Sequence, residues 1–319
     1  MPNNAPEKMV CMEVWGGCDP INTAVTMAGL DAWVYSKPFC EPAAAEAEGG
    51  GDVYYVSSCA TGRINRLLVA DVSGHGQAVR NVAVHLRDLM RRFVNYLDQA
   101  AFVTAMNKRF VETSAAGVFA TAVVTTFFAP TRTLSVCNAG HPPPLLYRQV
   151  DKNWSLLDPE SEGHRAANIP LGIVELDDTE QFNITLNVGD LLLIYTDSLM
   201  EARDRTGEII GTAGLLRIAR SANLNADEPL TIVPTLLSAI ENETGNTLHN
   251  DDVTCLLLRP NGSGTTMTWG ESFAGTYRLA KGVVKSLLTL RRPPLPDRHP
   301  ANVAGVMIPS LQRKWGKRE

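Results

Sequence analysis

From Gly51 onward the chain alternates short apolar runs with turn-forming residues. VYYVSSC (53–59) and INRLLVAD (64–71) flank the turn ATGR, the pattern of two adjacent strands. The period then changes. Between Gln77 and Tyr96, Val79, Val82, Ala83, Leu86, Leu89, Met90 and Phe93 fall on one face of a helix, and a second helix is predicted over 99–112. FATAVVTTFFA (119–129), TLSVCNAG (133–140) and PPLLYR (143–148) return to strand character. PLGI (170–173) precedes two strands predicted around the turn Asn187-Val188-Gly189-Asp190. Helical patterns follow over 213–220 and 230–241, and DVTCLLLR (252–259) reads as a last strand. So many short turns favour antiparallel pairing over repeated βαβ units, and the expected class is an α+β layered sandwich.

Upstream, AGLDAWVYSKPF (28–39) has the aromatic content of an extra strand or arm, and EPAAAEAEGGG (41–51) reads as a flexible approach. The expected division is an N-terminal arm over 1–48, a main domain over 49–259 and a C-terminal extension over 260–319. Charge sharpens the last boundary. The extension carries ten basic against three acidic residues, a net of +7, and the other 259 residues carry −12. Within it, YRLAKGVVKSLLTLRRPPLP has the make-up of a basic amphipathic helix that ends at its prolines. A solvated tail is the plainer reading; peripheral contact with an anionic membrane surface or an acidic partner is the functional one.

The whole chain of 319 residues has a net charge of −5, which gives no signal for nucleic-acid binding. The longest apolar run, Val118–Ala129, falls short of the roughly 20 residues a membrane helix needs. The N-terminus lacks a basic region followed by an apolar one, so a cytoplasmic location is expected. Six cysteines (11, 18, 40, 59, 137, 255) form no CxxC pair. Those at 59, 137 and 255 sit in strand-like runs and are expected to be buried thiols.

The candidate chemistry lies at strand ends. Asp52 opens one strand, Asp71 ends another, Asp197 ends LLLIYTD, and Asp251 and Asp252 precede the last strand. Any one of them could be a turn former or a helix cap. Several carboxylates gathered at one rim need cations to neutralise them, and an all-oxygen set without paired His or Cys favours Mg²⁺ or Mn²⁺ over zinc. Gly74 and Gly76 suit a sharp turn there, with the Val72 carbonyl facing the same way. His75 is the tempting general acid, but VSGHG lacks the GxSxG pattern. Hydrogen bonding that shapes the loop is its plainer role. His141 in NAGHPPP reads as a structural or substrate-edge group.

Seven stretches occur in an order that resembles the bacterial PP2C-like serine/threonine phosphatases of the SpoIIE/RsbU type. They are GGD (50–52), ADVSGHG (70–76), FATAVVTTF (119–127), NAGHPPPLLY (138–147), PLGI (170–173), GDLLLIYTDSLMEAR (189–203) and NDDVTCLLL (250–258). The resemblance implies a four-layer αββα sandwich of two antiparallel sheets flanked by helices, with two Mn²⁺ or Mg²⁺ ions at one end. It makes Asp71 a bridging ligand, the Val72 carbonyl a ligand of one ion, and Asp197 and Asp251 ligands of the second. Asp52 would hold metal-bound water, and Asp252 would support the ligands from behind. The implied activity is hydrolysis of phosphoserine or phosphothreonine by a metal-activated water, with no covalent phosphoenzyme. The implied substrate is a phosphorylated regulatory protein, such as a STAS-type anti-anti-sigma factor, and a homodimer is compatible with it.

Three residues depart from the family pattern. Val72 and Ser198 each replace a common Gly, and Tyr55 stands where this branch often has Asp. Ser198 and Tyr55 support the alternative of a pseudophosphatase acting as a signalling module. A serine hydrolase using Ser73 and His75 is the other reading; it predicts indifference to chelators.

Overall fold

Alternation along each strand sends one set of side chains between two sheets and the other set outward onto helices. The computed structural model describes residues 7–8, 12–39, 50–58, 63–74, 77–94, 96, 98–115, 117–157, 169–175, 179–245, 248 and 251–263. The N-terminal strands are β1 (Glu7–Lys8), β2 (Met12–Gly17), β3 (Ile21–Met27), β4 (Leu30–Lys37), β5 (Asp52–Ser58) and β6 (Ile64–Val72). Helices α1 (Gln77–Phe93) and α2 (Gln99–Thr113) follow. Then come β7 (Ala120–Phe128), β8 (Thr133–Ala139), β9 (Leu145–Arg148), β10 (Asn153–Leu156), β11 (Phe182–Thr185) and β12 (Leu191–Tyr195). Helices α3 (Ser198–Glu201), α4 (Gly211–Ser221) and α5 (Pro229–Thr244) precede β13 (Val253–Pro260).

One sheet runs β1-β3-β4-β13-β12-β9-β10 and the other β11-β8-β7-β6-β5-β2. The pairings are antiparallel except the short parallel contact of β1 with β3. Between the sheets lie Val34, Tyr54, Val56, Leu67, Val69, Phe127, Ile194 and Leu256. The opposite faces of β5 and β6 put Val53, Tyr55, Leu68 and Ala70 against Leu86, Met90, Phe102 and Met106 of α1 and α2. On the far side, Leu193, Tyr195, Cys255 and Leu257 meet Leu215, Ile218, Leu236 and Ile240 of α4 and α5. Three cores between four layers make this the αββα sandwich that the resemblance implies, within the layered α+β class that the alternation predicts.

The chain departs from the sequence reading in several places. Residues 12–37 do not stand apart as an arm: β2 edges one sheet, and β4 pairs with β13 over eight residue pairs in the other. The two strands expected around Asn187–Asp190 are present, but they do not pair with each other. Instead β11 pairs with β8, β12 pairs with β9 and β13, and the turn carries the chain between sheets. Asp190 fixes that crossing: its buried carboxylate accepts from the Asn187 N–H (2.9 Å) and the Gln149 N–H (3.0 Å), and it pairs with Arg148 at 2.9 Å. β10 is an addition that the apolar pattern did not flag. The first helix ends at Phe93 rather than Tyr96. Cys137 and Cys255 are buried free thiols as expected, as is Cys18. Cys11, Cys40, Cys59, His75, Gly76 and the extension beyond Ser263 lie outside the described residues. No described helix is long and apolar enough to cross a membrane.

Candidate metal-dependent active site

Ladder register brings the first two acids together. Asp52 at the start of β5 stands opposite Asp71 near the end of β6. Both share strand parity with residues of the inter-sheet core, so they lie at the rim of the space between the sheets. The second sheet brings the others to that rim. Asp197 follows β12, Asp251 and Asp252 precede β13, and these two strands are antiparallel neighbours.

Burial and like-charge repulsion act on the Asp52, Asp71, Asp197 and Asp251 carboxylates in one direction. Asp52 is buried, which pushes its carboxyl well above the usual range, and Asp71 and Asp252 push it further. Asp71 is raised to about 7, first by burial and then by Asp197, Asp251, Asp252 and Glu201. Burial and then Glu201 raise Asp197; burial leads for Asp251, with Asp197 and Asp252 adding to it. Among the described residues no lysine or arginine pairs with any of these four.

Asp252 has a different part. Its Oδ1 accepts from the Phe39 N–H and its Oδ2 from the Gly51 N–H, both at 2.6 Å, with the Asp52 N–H at 3.4 Å. It holds the GGD turn from the opposite sheet. Gly50 makes this approach feasible, because a Cβ there would collide with the Asp252 carboxylate. Gly50→Ala is therefore expected to displace Asp252 and to cut turnover in the activity proposed below about tenfold, with the melting temperature lowered by only a few degrees. Steady-state kinetics beside calorimetry checks this.

The Val72 N–H donates to the Gly51 carbonyl at 3.3 Å, so the backbone at Val72 runs beside the same turn, and the Val72 side chain is buried in the helix-facing core. Gly74 has φ of +111° and supplies the expected sharp turn before α1. The Ser73 hydroxyl accepts from the Phe119 N–H at 3.1 Å and its own N–H donates to the Phe119 carbonyl, so it serves the loop. Ser198 opens α3 in right-handed backbone and is absent from the positive-φ residues, so serine in place of glycine introduces no strain. Tyr55 faces α1 and α2, on the face of β5 opposite Asp52. An acid at that position would not point to the carboxylate rim.

Sequence reasoning missed three residues here. Thr196 donates to Asp52 Oδ2 at 2.8 Å and accepts from the Thr254 N–H at 3.0 Å, which ties Asp52 to both strands of the facing sheet. Glu201, four residues after Asp197 and so on one helical face with it, adds its charge to the cluster. The usable signals were the threonine directly before Asp197, the one two residues after Asp252, and that four-residue spacing.

No group of three His, Cys, Asp or Glu side chains among the described residues is arranged to hold one ion by itself. The donor set still fits hard divalent cations. It is all oxygen, crowded and uncompensated by basic side chains, and Mg²⁺ commonly keeps several waters while taking one or two carboxylates.

An αββα sandwich with aspartates from both sheets at one end is the architecture of PP2C-type phosphatases. Residues 62–261 match the family model described as stage II sporulation protein E, and the chain belongs to this SpoIIE family. Its fold is shared with a PP2C phosphatase domain. Solved structures agree in fold. The RsbU and RsbW domains of a Mycobacterium tuberculosis protein are 25% identical with a TM-score of 0.58, covering 82% of this chain and 70% of that one. The PP2C phosphatase domain with a regulatory fragment of the Bacillus subtilis cell fate determinant SpoIIE is 16% identical with a TM-score of 0.57, covering 74% and 64%. RsbX in complex with magnesium is 14% identical with a TM-score of 0.52, covering 76% and 100%.

Proposed function

We propose that this protein is a cytoplasmic, metal-dependent phosphatase that removes phosphate from phosphoserine or phosphothreonine of a regulatory protein. The convergence of Asp52, Asp71, Asp197 and Asp251 from two sheets carries the reading, since their crowding is tolerable once cations neutralise it. Asp71, Asp197, Asp251 and the Val72 carbonyl would hold two Mn²⁺ or Mg²⁺ ions. Asp52, buried and fixed by Thr196, would orient the attacking water as its hydrogen-bond acceptor. Ions bound there supply phosphate binding, a lowered water pKa and charge stabilisation in an in-line displacement. Asp252 keeps the GGD turn in place, and Ser198 and Gly74 shape the loops around the ligands.

A STAS-type anti-anti-sigma factor is the substrate class we favour; the pairing of RsbU with RsbW domains in one structural neighbour supports a partner-switching role. The test is hydrolysis of p-nitrophenyl phosphate and of a phosphorylated STAS protein during Mn²⁺ titration. Activity is expected to appear with the metal, to vanish with chelator and to be lost in Asp71→Ala, whose circular dichroism stays that of the parent. Turnover retained in that variant overturns the assignment, and metal binding without turnover identifies a pseudophosphatase.

A further inference from the structure

The loop from β8 to β9 crosses from one sheet to the other, and His141 sits at the crossing. The imidazole is buried and bonded to both sheets. Nε2 lies 3.0 Å from the Tyr195 carbonyl of β12, and Nδ1 lies 2.8 Å from Thr121 Oγ1 of β7. A carbonyl only accepts, so Nε2 carries the proton. Burial lowers the ring pKa to about 4, which leaves it neutral, and Nδ1 therefore accepts from the Thr121 hydroxyl. The ring's own backbone is clamped as well: Asn138 accepts from the His141 N–H and donates to the His141 carbonyl, both at 2.8 Å. The Tyr195 hydroxyl returns to the loop at the Pro143 carbonyl, 2.9 Å away.

The two anchors adjoin the two halves of the carboxylate cluster. Thr121 stands directly opposite Asp71 in the β6–β7 ladder. Tyr195 immediately precedes Thr196, the partner of Asp52, and Asp197 follows. We propose that His141 is a positioning residue: a neutral brace between the sheets that sets the distance from Asp71 to Asp197 and so tunes the affinity of the site for divalent cations. This rests on the metal-dependent reading above and adds to it a residue that touches neither ion nor substrate. A mere packing residue would affect stability alone; a brace affects the spacing of two ligands that share no backbone.

The experiment compares His141→Ala, Thr121→Val and Thr121→Ser with the parent in the full chain. Thr121→Val removes only the donor to Nδ1, and Thr121→Ser keeps it. Mn²⁺ affinity is read by titration calorimetry, kcat and KM for p-nitrophenyl phosphate at saturating Mn²⁺, and amide hydrogen exchange without metal. Removal of such outer groups typically costs about 10–100-fold in metal affinity, so His141→Ala is expected to weaken Mn²⁺ binding at least tenfold. Thr121→Val should weaken it several-fold and Thr121→Ser restore it. Exchange over residues 120–122 and 195–198 should quicken in His141→Ala and Thr121→Val but not over 256–260. Asp190→Ala, at the other end of β12, serves as a destabilised control that keeps parental Mn²⁺ affinity. Parental affinity in His141→Ala and Thr121→Val, or exchange that quickens uniformly, overturns the brace. If the parent itself binds no Mn²⁺, the metal reading fails while the exchange pattern still decides whether His141 couples the sheets.

Discussion

Mn²⁺ binding is expected to strengthen about tenfold between pH 6 and pH 8. Asp71 is raised to about 7, so in the metal-free protein its carboxyl is mostly protonated at pH 6 and mostly ionised at pH 8. A cation must displace that proton, and affinity follows the ionised fraction. Calorimetry in buffers of different ionisation enthalpy should detect proton release at pH 6 that fades by pH 8. Asp71→Asn should abolish this release along with turnover. The same shift bears on stability without metal. The folded state holds the Asp71 proton between about pH 4 and 7 while the unfolded chain has lost it, so this group's contribution declines as pH rises through that window. His141 acts in the opposite direction. Its pKa of about 4 lies below the ordinary imidazole value of about 6.5, so its contribution is full above that value and is lost as pH falls towards 4. Asp71→Asn leaves the His141 contribution without its opponent. The metal-free variant should therefore melt higher than the parent at pH 8, by the equivalent of at most about 4 kcal/mol, and should lose that stability more steeply on acidification. A variant that melts lower than the parent at pH 8 would contradict the crowding of charge at this rim.

Asp190→Ala is expected to cost about 2–4 kcal/mol, chiefly because two backbone donors lose their acceptor. The substitution takes the carboxylate from Arg148, which keeps the Thr185 carbonyl and partial exposure to solvent, and leaves the Gln149 and Asn187 N–H groups without their acceptor. A fall in melting temperature on the order of 10 °C follows for a domain of this size. Below that transition kcat should stay parental, because Asp190 and Asp197 lie at opposite ends of β12. Asp190→Asn should recover part of the loss, since an amide oxygen still accepts one of the two backbone donors.

The layered class was legible because strand alternation and the face of α1 depend on local sequence alone. The strand-end aspartates were legible for the same reason: each closes or opens an apolar run. Partnership was harder to read. The Asn187–Asp190 turn has the chemistry of a hairpin, yet its strands join different sheets, and only the long-range pairings of β11 with β8 and β12 with β9 decide that. The sequence VYSK gave no sign that β4 would lie against β13. Thr196 and Thr254 were hidden at the end of one apolar strand and inside another because their hydroxyls bond within the fold, Thr196 to Asp52 and Thr254 to Ser36 of β4, rather than to solvent. His141 was read as a structural or edge group, but its two partners come from strands about 20 residues before and 54 after it, separations that no local pattern encodes.

The pairing of β4 with β13 constrains the order of events during synthesis. The sheet that supplies Asp52 and Asp71 can assemble once β7 and β8 have emerged, whereas β4 waits for a neighbour more than 200 residues downstream. Such distant contacts slow folding. A nascent chain thus holds Asp52 and Asp71 placed while Asp251 and Asp252 wait, and the proposed metal site is complete only once β13 docks.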